Sequence, residues 1–514
     1  MRHPLLFLLG FISVCLPLPG SATTPFDVTD YGAVGDGKTL DTAAIQKAID
    51  TCAQAGGGTV FFPPGKYMTG SLSLKSHLVF SVGPGAELLG SPNPADYPVR
   101  PSPWGDGEQV ISPLIYGEDL EDVTLVGPGT INGQGEIWWR RAWATDSKPS
   151  VPKVTEITPE EARAAIVHGR PRLIRLVHCT RVTLDGLTLL NAGMWTVNPV
   201  FCEFVTVRDL RIHNPVPSPN TDGINPEGCR NVAISGCTID VGDDCVTLKS
   251  GTDEVGRKMG KPTENVTITN CTMLNGHGGV VVGSEMSGGV RNVTVTNCVF
   301  QGTLRGIRLK SKRGRGGLVE GISVDNIVMQ NVGTAFDITS FYGDEKTAGQ
   351  ILPVDDGTPR FRDIRLSNIT ARGSTGAGQL TGLLEMPMED VVFSNIDIAA
   401  KTGFAIHSAK GIVFRNVRID TDTGPALTGE NVEGLVLDGV GTGTPHATAP
   451  VIDLTDVRGL SLRNCLAPGG TGTFLQVGGK SSGLTLQGND LRAAAKPVQA
   501  AEGLTVDTLT GTGG

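Results

Sequence analysis

The chain has 514 residues, 70 of them Gly, with 18% charged residues and a formal net charge of −9. Glycine stands at about twice its usual share of roughly 7%, while charge is too sparse for a disordered chain or a coiled coil. No global positive field exists to draw nucleic acid or an anionic membrane, so an anionic ligand must be held by local charge.

Residues 1–22 read as an export signal. Arg2 and His3 precede an apolar run from Leu5 to Leu16, and Gly20 and Ala22 are the small residues of a cut after Ala22. The run is too short to span a bilayer. The expectation is an exported protein, periplasmic or extracellular, whose residues 23–514 form a single domain. Removing Cys15 leaves nine of the ten cysteines, an odd number that argues against a disulfide framework and for buried thiols.

The stretch Asp41 to Ala55 carries Ile45, Ala48, Ile49 and Cys52 on one helical face, with Asp41 as its N-cap. The Gly32, Gly35, Gly37 cluster before it lacks the spacing and the following helix of a dinucleotide fingerprint.

From Val123 onward a unit repeats. Asn265-Val-Thr-Ile-Thr-Asn-Cys-Thr-Met and Asn292-Val-Thr-Val-Thr-Asn-Cys-Val-Phe are nearly the same nine residues. Its first apolar position recurs at Val123, Val182, Val205, Val232, Val266, Val293, Ile322, Ile364, Val391, Ile412, Leu435, Leu460 and Leu484. Within the copy at Val266 the apolar period of two slips by one, which marks a bend between two strands. Four residues after each marker stands only Gly, Asn or Asp, from Gly127 to Gly488, the types that tolerate a left-handed corner.

Two strands, a one-residue corner, a third strand and a loop describe one coil of a parallel β-helix, an all-β solenoid whose N-terminal end the helix would cap. Cys237, Cys271, Cys298 and Cys465 fall one residue after the corner, an inward position where small apolar side chains stack. The Asn-X-Thr triplets at Asn265, Asn292 and Asn368 are products of the repeat. The Ala-, Gly- and Thr-rich tail from Ala493 reads as frayed.

Four polar clusters interrupt the repeat: Asn220-Thr-Asp-Gly223, Gly242-Asp-Asp244, Gly276-His-Gly278 and Arg308-Leu-Lys310. Their separations of 21, 34 and 31 residues (222 to 243, 243 to 277, 277 to 308) are each one coil. Adjacent coils lie about 4.8 Å apart, so Asp222, Asp243, Asp244, His277, Arg308 and Lys310 should form one surface ladder. Crowded carboxylates repel, so one should keep its proton to unusually high pH. An acid beside a base is what cleavage of a glycosidic bond requires. Arg308 and Lys310 share one strand face, with Lys312, Arg313 and Arg315 close behind, and fit a sugar that bears carboxylates.

In this order and spacing the four clusters, with the Phe26-to-Gly37 opening, resemble the polygalacturonases of glycoside hydrolase family 28. The resemblance covers most of residues 23–514, departing only in Leu309, where the family has Ile. It implies a single-stranded right-handed parallel β-helix, with catalytic coils about 205–317, that hydrolyses α-1,4 linkages of pectic galacturonan with inversion and without metal or cofactor. Asp243 would be the general acid, and Asp222 and Asp244 would activate the water. His277 would tune the acid or hold substrate, Arg308 and Lys310 would bind the galacturonate carboxylate, and Asn220 and Tyr342 would line the cleft.

Asp243 and Asp244 can both face the substrate only if the chain turns at Gly242, and carboxylates one coil apart approach the spacing usual for retaining enzymes. The insertion carrying Trp138, Trp139 and Trp143 would wall off the non-reducing end of the cleft and give exo-action. Three other readings share the fold: a rhamnogalacturonan or xylogalacturonan hydrolase, a Ca²⁺-dependent pectate lyase, and a non-catalytic carbohydrate-binding β-helix.

Overall fold

The computed structural model describes residues 25–144, 153–154, 169–347, 349–502, 504 and 506–509. The expected export signal lies outside the described residues. Among the described residues no helix is long and apolar enough to cross a membrane.

The repeat markers stack in register. Val123 pairs with Val182, then in parallel succession Val205, Val232, Val266, Val293, Ile322, Ile364 and Val391. Ile412, Leu435, Leu460 and Leu484 continue the column. A second ladder follows the corner, from Ile131 through Leu189, Ile212, Ile239 and Met273 to Phe300. A third runs from Ile115 through Ile174, Val197, Ile224, Val246, Val280, Ile307 and Phe336. The fold is a parallel β-helix whose inward residues form one continuous core. Each fully buried Val, Ile, Leu or Phe contributes about 1.5–3 kcal/mol, and the parallel register places identical apolar shapes on top of one another.

The corner prediction holds at twelve of the thirteen positions, which lie at φ between +51° and +67°. Gly127 is the exception; there a Cβ would sit 2.6 Å from the Gly186 carbonyl oxygen, so the requirement is space. A second left-handed corner escaped the sequence reading. The residue immediately before every marker, from Asp122 to Gly483, also has positive φ. This is why Asn265 and Asn292 recur: their side chains form a ladder, with Asn292 Nδ2 donating to Asn265 Oδ1 at 3.1 Å and Asn265 Nδ2 to Asn231 Oδ1 at 3.0 Å.

All nine cysteines beyond Cys15 are buried free thiols. Besides the predicted column, Cys179, Cys202 and Cys229 form another, with backbone N–H groups of Cys179 and Cys202 donating to the next sulfur at 3.4 Å.

The helix α1 spans Thr42–Gln54 and buries Ile45, Ala48, Ile49 and Cys52. It packs against the strands Phe26–Asp27 and Gly58–Phe62 at the start of the stack. Asp41 occupies the N-cap position but makes no cap hydrogen bond. Its carboxylate instead accepts from the Val34 and Gly35 N–H groups, fastening the preceding glycine loop. Where the tail is described it is paired and not frayed as its composition implied: Lys496–Ala500 pairs with Thr473–Gly478, and Val506–Leu509 with Ser482–Gln487.

Candidate active site

The third ladder carries the site. Asp222 precedes the Ile224 rung, Asp243 and Asp244 precede Val246, His277 precedes Val280, and Arg308 and Lys310 lie on the strand Arg305–Lys310. Cross-coil backbone bonds fix the alignment, with Gly223 N–H donating to Asp244 O at 3.0 Å and His277 N–H to Asp243 O at 3.0 Å. The predicted ladder therefore assembles.

The chain bends at Gly242 and Asp243, as the two adjacent aspartates required. A Cβ at Gly242 would lie 2.4 Å from the Ser218 carbonyl oxygen, so only glycine brings this bend against the Ser218 loop. Oxygens of Asp222, Asp243 and Asp244 lie within 4.8 Å of one another. Asp222 and Asp244 are 3% and 1% exposed, so the cluster is a buried one. Asp243 is its outermost member, with 17% of its side chain exposed.

Each carboxylate has a different partner. Lys310 Nζ donates to Asp244 Oδ2 at 2.8 Å, and Arg308 Nη1 stands 3.9 Å from Asp244 Oδ1. His277 Nδ1 donates to Asp243 Oδ1 at 3.0 Å, and the Asp244 N–H reaches the same oxygen at 2.9 Å. Asp222 Oδ2 accepts from Asn225 Nδ2 at 2.9 Å and has its nearest cation, Lys249 Nζ, at 3.8 Å. Lys249 is itself drawn to Glu285 at 2.8 Å.

The titration follows from these partners. Burial and then the Asp243 charge push Asp222 up to about 8. Burial also raises Asp243, but the His277 hydrogen bond and the charges of His277, Lys310 and Lys249 outweigh it and hold this carboxyl below its usual value. His277 is raised by its bond to Asp243 despite partial burial. Of the crowded carboxylates, Asp222 is the one pushed toward its protonated form.

Arg308 also pairs with Asp337 at 3.2 Å, and Asp337 takes a hydrogen bond from Arg305 at 3.1 Å and from Gln379 at 2.7 Å. Tyr342 packs where expected, with the Arg308 guanidinium 5.3 Å and the Lys310 ammonium 5.0 Å from its ring centroid. Asn220 is brought to the loop beside the cluster, but its Oδ1 accepts from buried Arg170 at 2.7 Å. Arg313 and Arg315 are engaged elsewhere, with Glu385 and Asp253, each at 2.7 Å.

Of the insertion expected to wall off the cleft, residues 145–152 and 155–168 lie outside the described residues. Trp138 and Trp139, on the helix α2 (Glu136–Trp143), are buried. Trp138 stands edge-on to Tyr97, and Trp139 Nε1 donates to the Ala192 carbonyl at 2.9 Å. The two indoles thus pack the described start of the insertion against the coils.

Sequence reasoning missed Lys249, Asn225, Glu285 and Asp337. Asn225 and Lys249 do stand three and five positions beyond Asp222 and Asp244, within reach of a search that continued along the strands.

Comparison with known proteins bears directly on this site. The model of Glycosyl hydrolases family 28 matches residues 106–413, and one described as Rhamnogalacturonase A/epimerase, pectate lyase-like matches residues 26–99. A probable polygalacturonase of Vitis vinifera is 36% identical over 385 residues, 72% of this chain and 73% of the relative. An exo-poly-alpha-D-galacturonosidase of Dickeya chrysanthemi is 29% identical, covering 76% of this chain and 70% of its own. The crystal structure of a hyperthermoactive exopolygalacturonase from Thermotoga maritima superposes with a TM-score of 0.67 at 30% identity, over 77% of this chain and 91% of that one. The match spans the whole carboxylate ladder and more than half of the sequence, and the chain belongs to glycoside hydrolase family 28.

Proposed function

We propose that the protein is an exo-acting polygalacturonase that hydrolyses α-1,4-galacturonosidic bonds with inversion. The observation that carries this reading is the trio of buried Asp222 and Asp244 with the more exposed Asp243, oxygens within 4.8 Å, beside Arg308 and Lys310. Cations beside the carboxylates select an anionic sugar, and the trio supplies both acid and base.

Asp243 is the general acid because it is the outermost of the three. In the free protein the proton resides on Asp222, and moving it to Asp243 leaves the net charge of the trio unchanged. Substrate drives that shift: it covers Asp243, and its carboxylate occupies the Lys310 charge, one of those that otherwise hold Asp243 ionised. Asp243 then protonates the glycosidic oxygen as the bond from C1 breaks. Water adds to C1, and its proton passes to Asp222 and Asp244, restoring one proton to the trio.

The short spacing is compatible with inversion. Two hydrogen bonds of about 2.7 Å meeting at one water span roughly 4.4–4.8 Å between acceptor oxygens, so Asp222 and Asp244 can clamp the nucleophile together. His277 tunes Asp243, and Tyr342 and Asn220 border the bound chain. The names of the Dickeya and Thermotoga relatives support exo-action. The apolar segment before Ala22 supports export.

The test incubates purified protein with polygalacturonate and excess chelator, following reducing ends, product size and ultraviolet absorbance. New reducing ends without absorbance, as a single short product from the first time points, are expected. Absorbing unsaturated product that appears only with Ca²⁺ would mean a lyase and remove Asp243 as acid. Silence on galacturonan with activity on rhamnogalacturonan would move the substrate to that polymer, a reading that the match at residues 26–99 favours as second.

A further inference from the structure

The sheet face that carries Arg308 continues past the site. In parallel register Arg308 is followed on successive coils by Asp337, Gln379, Ala405, Thr428 and Asp453. Beside this row runs a groove of about 480 Å³, lined by Arg305, Thr334, Gln379, Thr402, Pro425 and Thr428 among others. Arg305 pairs with Thr334, Thr334 with Gly376 and Gly376 with Thr402, and the Thr423 N–H donates to Lys401 O on the coil before it. From the Arg305 coil to the Thr423 coil the groove thus runs about 19 Å along the axis. At Gly376 the nearest neighbours of an added Cβ would be the Thr334 and Thr402 side chains at 3.4–3.5 Å, so the floor is open there.

Charge changes along this face. Lys310 pairs with Asp244, and Arg308 and Arg305 both pair with Asp337, at 3.2 and 3.1 Å. Three cations therefore meet two carboxylates, which leaves one positive charge for one substrate carboxylate. The groove beyond offers no second one. Among the described residues Arg305 is the only charged residue that lines it. The row past Arg308 is neutral except for Asp337 and Asp453, and the Gln379 amide is already engaged by Asp337 at 2.7 Å. Lys401 lines a separate depression with Asp420 and Asp422, and Arg372 pairs with Asp397. A second free carboxylate laid in the groove would lose hydration without gaining a cation, and would face the acidic members of the row. An uncharged sugar avoids that cost, and Ala405, Pro425 and the threonine methyl groups offer it apolar contact.

We propose that this groove is a specificity site for uncharged galacturonosyl residues, so that the substrate is partially methyl-esterified galacturonan with free carboxylates needed only beside the cleaved bond. The inference rests on the polygalacturonase reading and names the substrate class of the same site. With the non-reducing end of the chain toward the Asp222 coil, the reducing-end side of a bound chain extends over the groove.

The experiment compares tetragalacturonate with the same tetramer methyl-esterified on its two reducing-end residues, which leaves free carboxylates on both sides of the first bond. For the wild-type protein, kcat/KM should be about three- to tenfold higher on the ester, mainly through KM, and this advantage should shrink as salt screens the acidic row. Ala405→Lys places a cation on the Arg308 row between Gln379 and Thr428. It should lower KM for the free acid by a similar factor and leave the ester unchanged. The wild-type comparison needs no variant, so a folding defect in Ala405→Lys leaves the test intact. Equal or lower kcat/KM on the ester, or an unchanged preference in the folded variant, overturns the selectivity of the groove while hydrolysis of the free acid keeps the galacturonan reading. Failure to hydrolyse either tetramer overturns the functional reading and the groove assignment with it.

Discussion

Replacing Asp222 by Asn tests the proton inventory of the site through stability alone, with no substrate needed. Asp222 titrates at 3.8 when unperturbed and at about 8 in the fold. Between those values the folded chain binds one proton that the unfolded chain has released. Stability at this residue is therefore complete below its unfolded pKa and is lost as pH rises toward the folded one. The slope is about −1.4 kcal/mol per pH unit at most, and over the interval the loss approaches roughly 6 kcal/mol as an upper bound. The neighbouring groups whose titration is displaced act outside the useful window. Asp243 is held low, so its contribution is present above 3.8 and lost only as pH falls below that. His277 is raised, so its contribution is lost only as pH rises above 6.5. Glu285, at about 2, acts only below its unfolded value of 4.5. Urea denaturation between about pH 4.8 and 6 isolates Asp222. Asn retains an oxygen to accept from Asn225, so the packing persists. The wild type minus Asp222→Asn difference should fall by more than about 1 kcal/mol across that window. Parallel stability curves would refute a protonated Asp222 and with it the shared-proton mechanism.

Asp243→Asn should lower kcat on polygalacturonate by a factor of about 10² to 10⁴, while calorimetric affinity for an oligogalacturonide stays within about threefold; a kcat loss under tenfold would remove Asp243 as acid. Lys310→Met leaves buried Asp244 with Arg308 at 3.9 Å as its remaining cation and should cost up to about 3–5 kcal/mol of stability at pH 7 in urea denaturation, and a loss below about 1 kcal/mol would show that Lys310 is not the main counter-charge. Proton NMR of the first turnover should show the β-anomer, the inverted product of an α-linkage; initial α-anomer would convert the trio into a nucleophile–acid pair. Trp139→Phe should reduce stability by about 1–3 kcal/mol through its lost bond to Ala192 without changing product size, whereas altered product length would place a wall of the cleft at the α2 helix.

What the sequence disclosed was what the repeat made periodic. Asn, Asp and Gly at each corner are dictated by backbone handedness, which is why the column from Gly186 to Gly488 was legible without coordinates. The second corner was less visible because Arg181 and Phe204 occupy it despite positive φ, so composition alone did not expose the column. The polar clusters were legible because they break an apolar alternation. Lys249 does not break it visibly: it follows the strand Val246–Leu248, and its importance comes from Asp222 and Glu285 on the neighbouring coils. The tail misled for the same reason. Its composition is poor in apolar residues, but Val498 falls opposite Leu475 and Val506 opposite Leu484, and register is a property of the stack. The packing of Trp138 and Trp139 was not legible, since a large aromatic side chain in an insertion serves its own packing as readily as a ligand.

A parallel ladder has a difficulty as an active site: its coil spacing of about 4.8 Å brings like residues together whether or not their charges agree. Three aspartates at that spacing could share their protons evenly, and an even trio would offer neither a distinct acid nor a distinct base. The protein resolves this by giving the three unequal partners. Asp244 has a lysine at 2.8 Å, Asp243 a histidine at 3.0 Å, and Asp222 only a lysine at 3.8 Å that Glu285 holds at 2.8 Å. The carboxylate with the weakest cation keeps the proton, and the one with the most exposed partner can receive it when substrate arrives. Glu285 thereby acts on Asp222 without touching it, by competing for Lys249. Releasing Lys249 through Glu285→Gln should draw the ammonium toward Asp222, lower that carboxyl, and move the alkaline limb of kcat/KM to lower pH even though no group that meets the substrate has changed; an unmoved limb would refute the competition for Lys249.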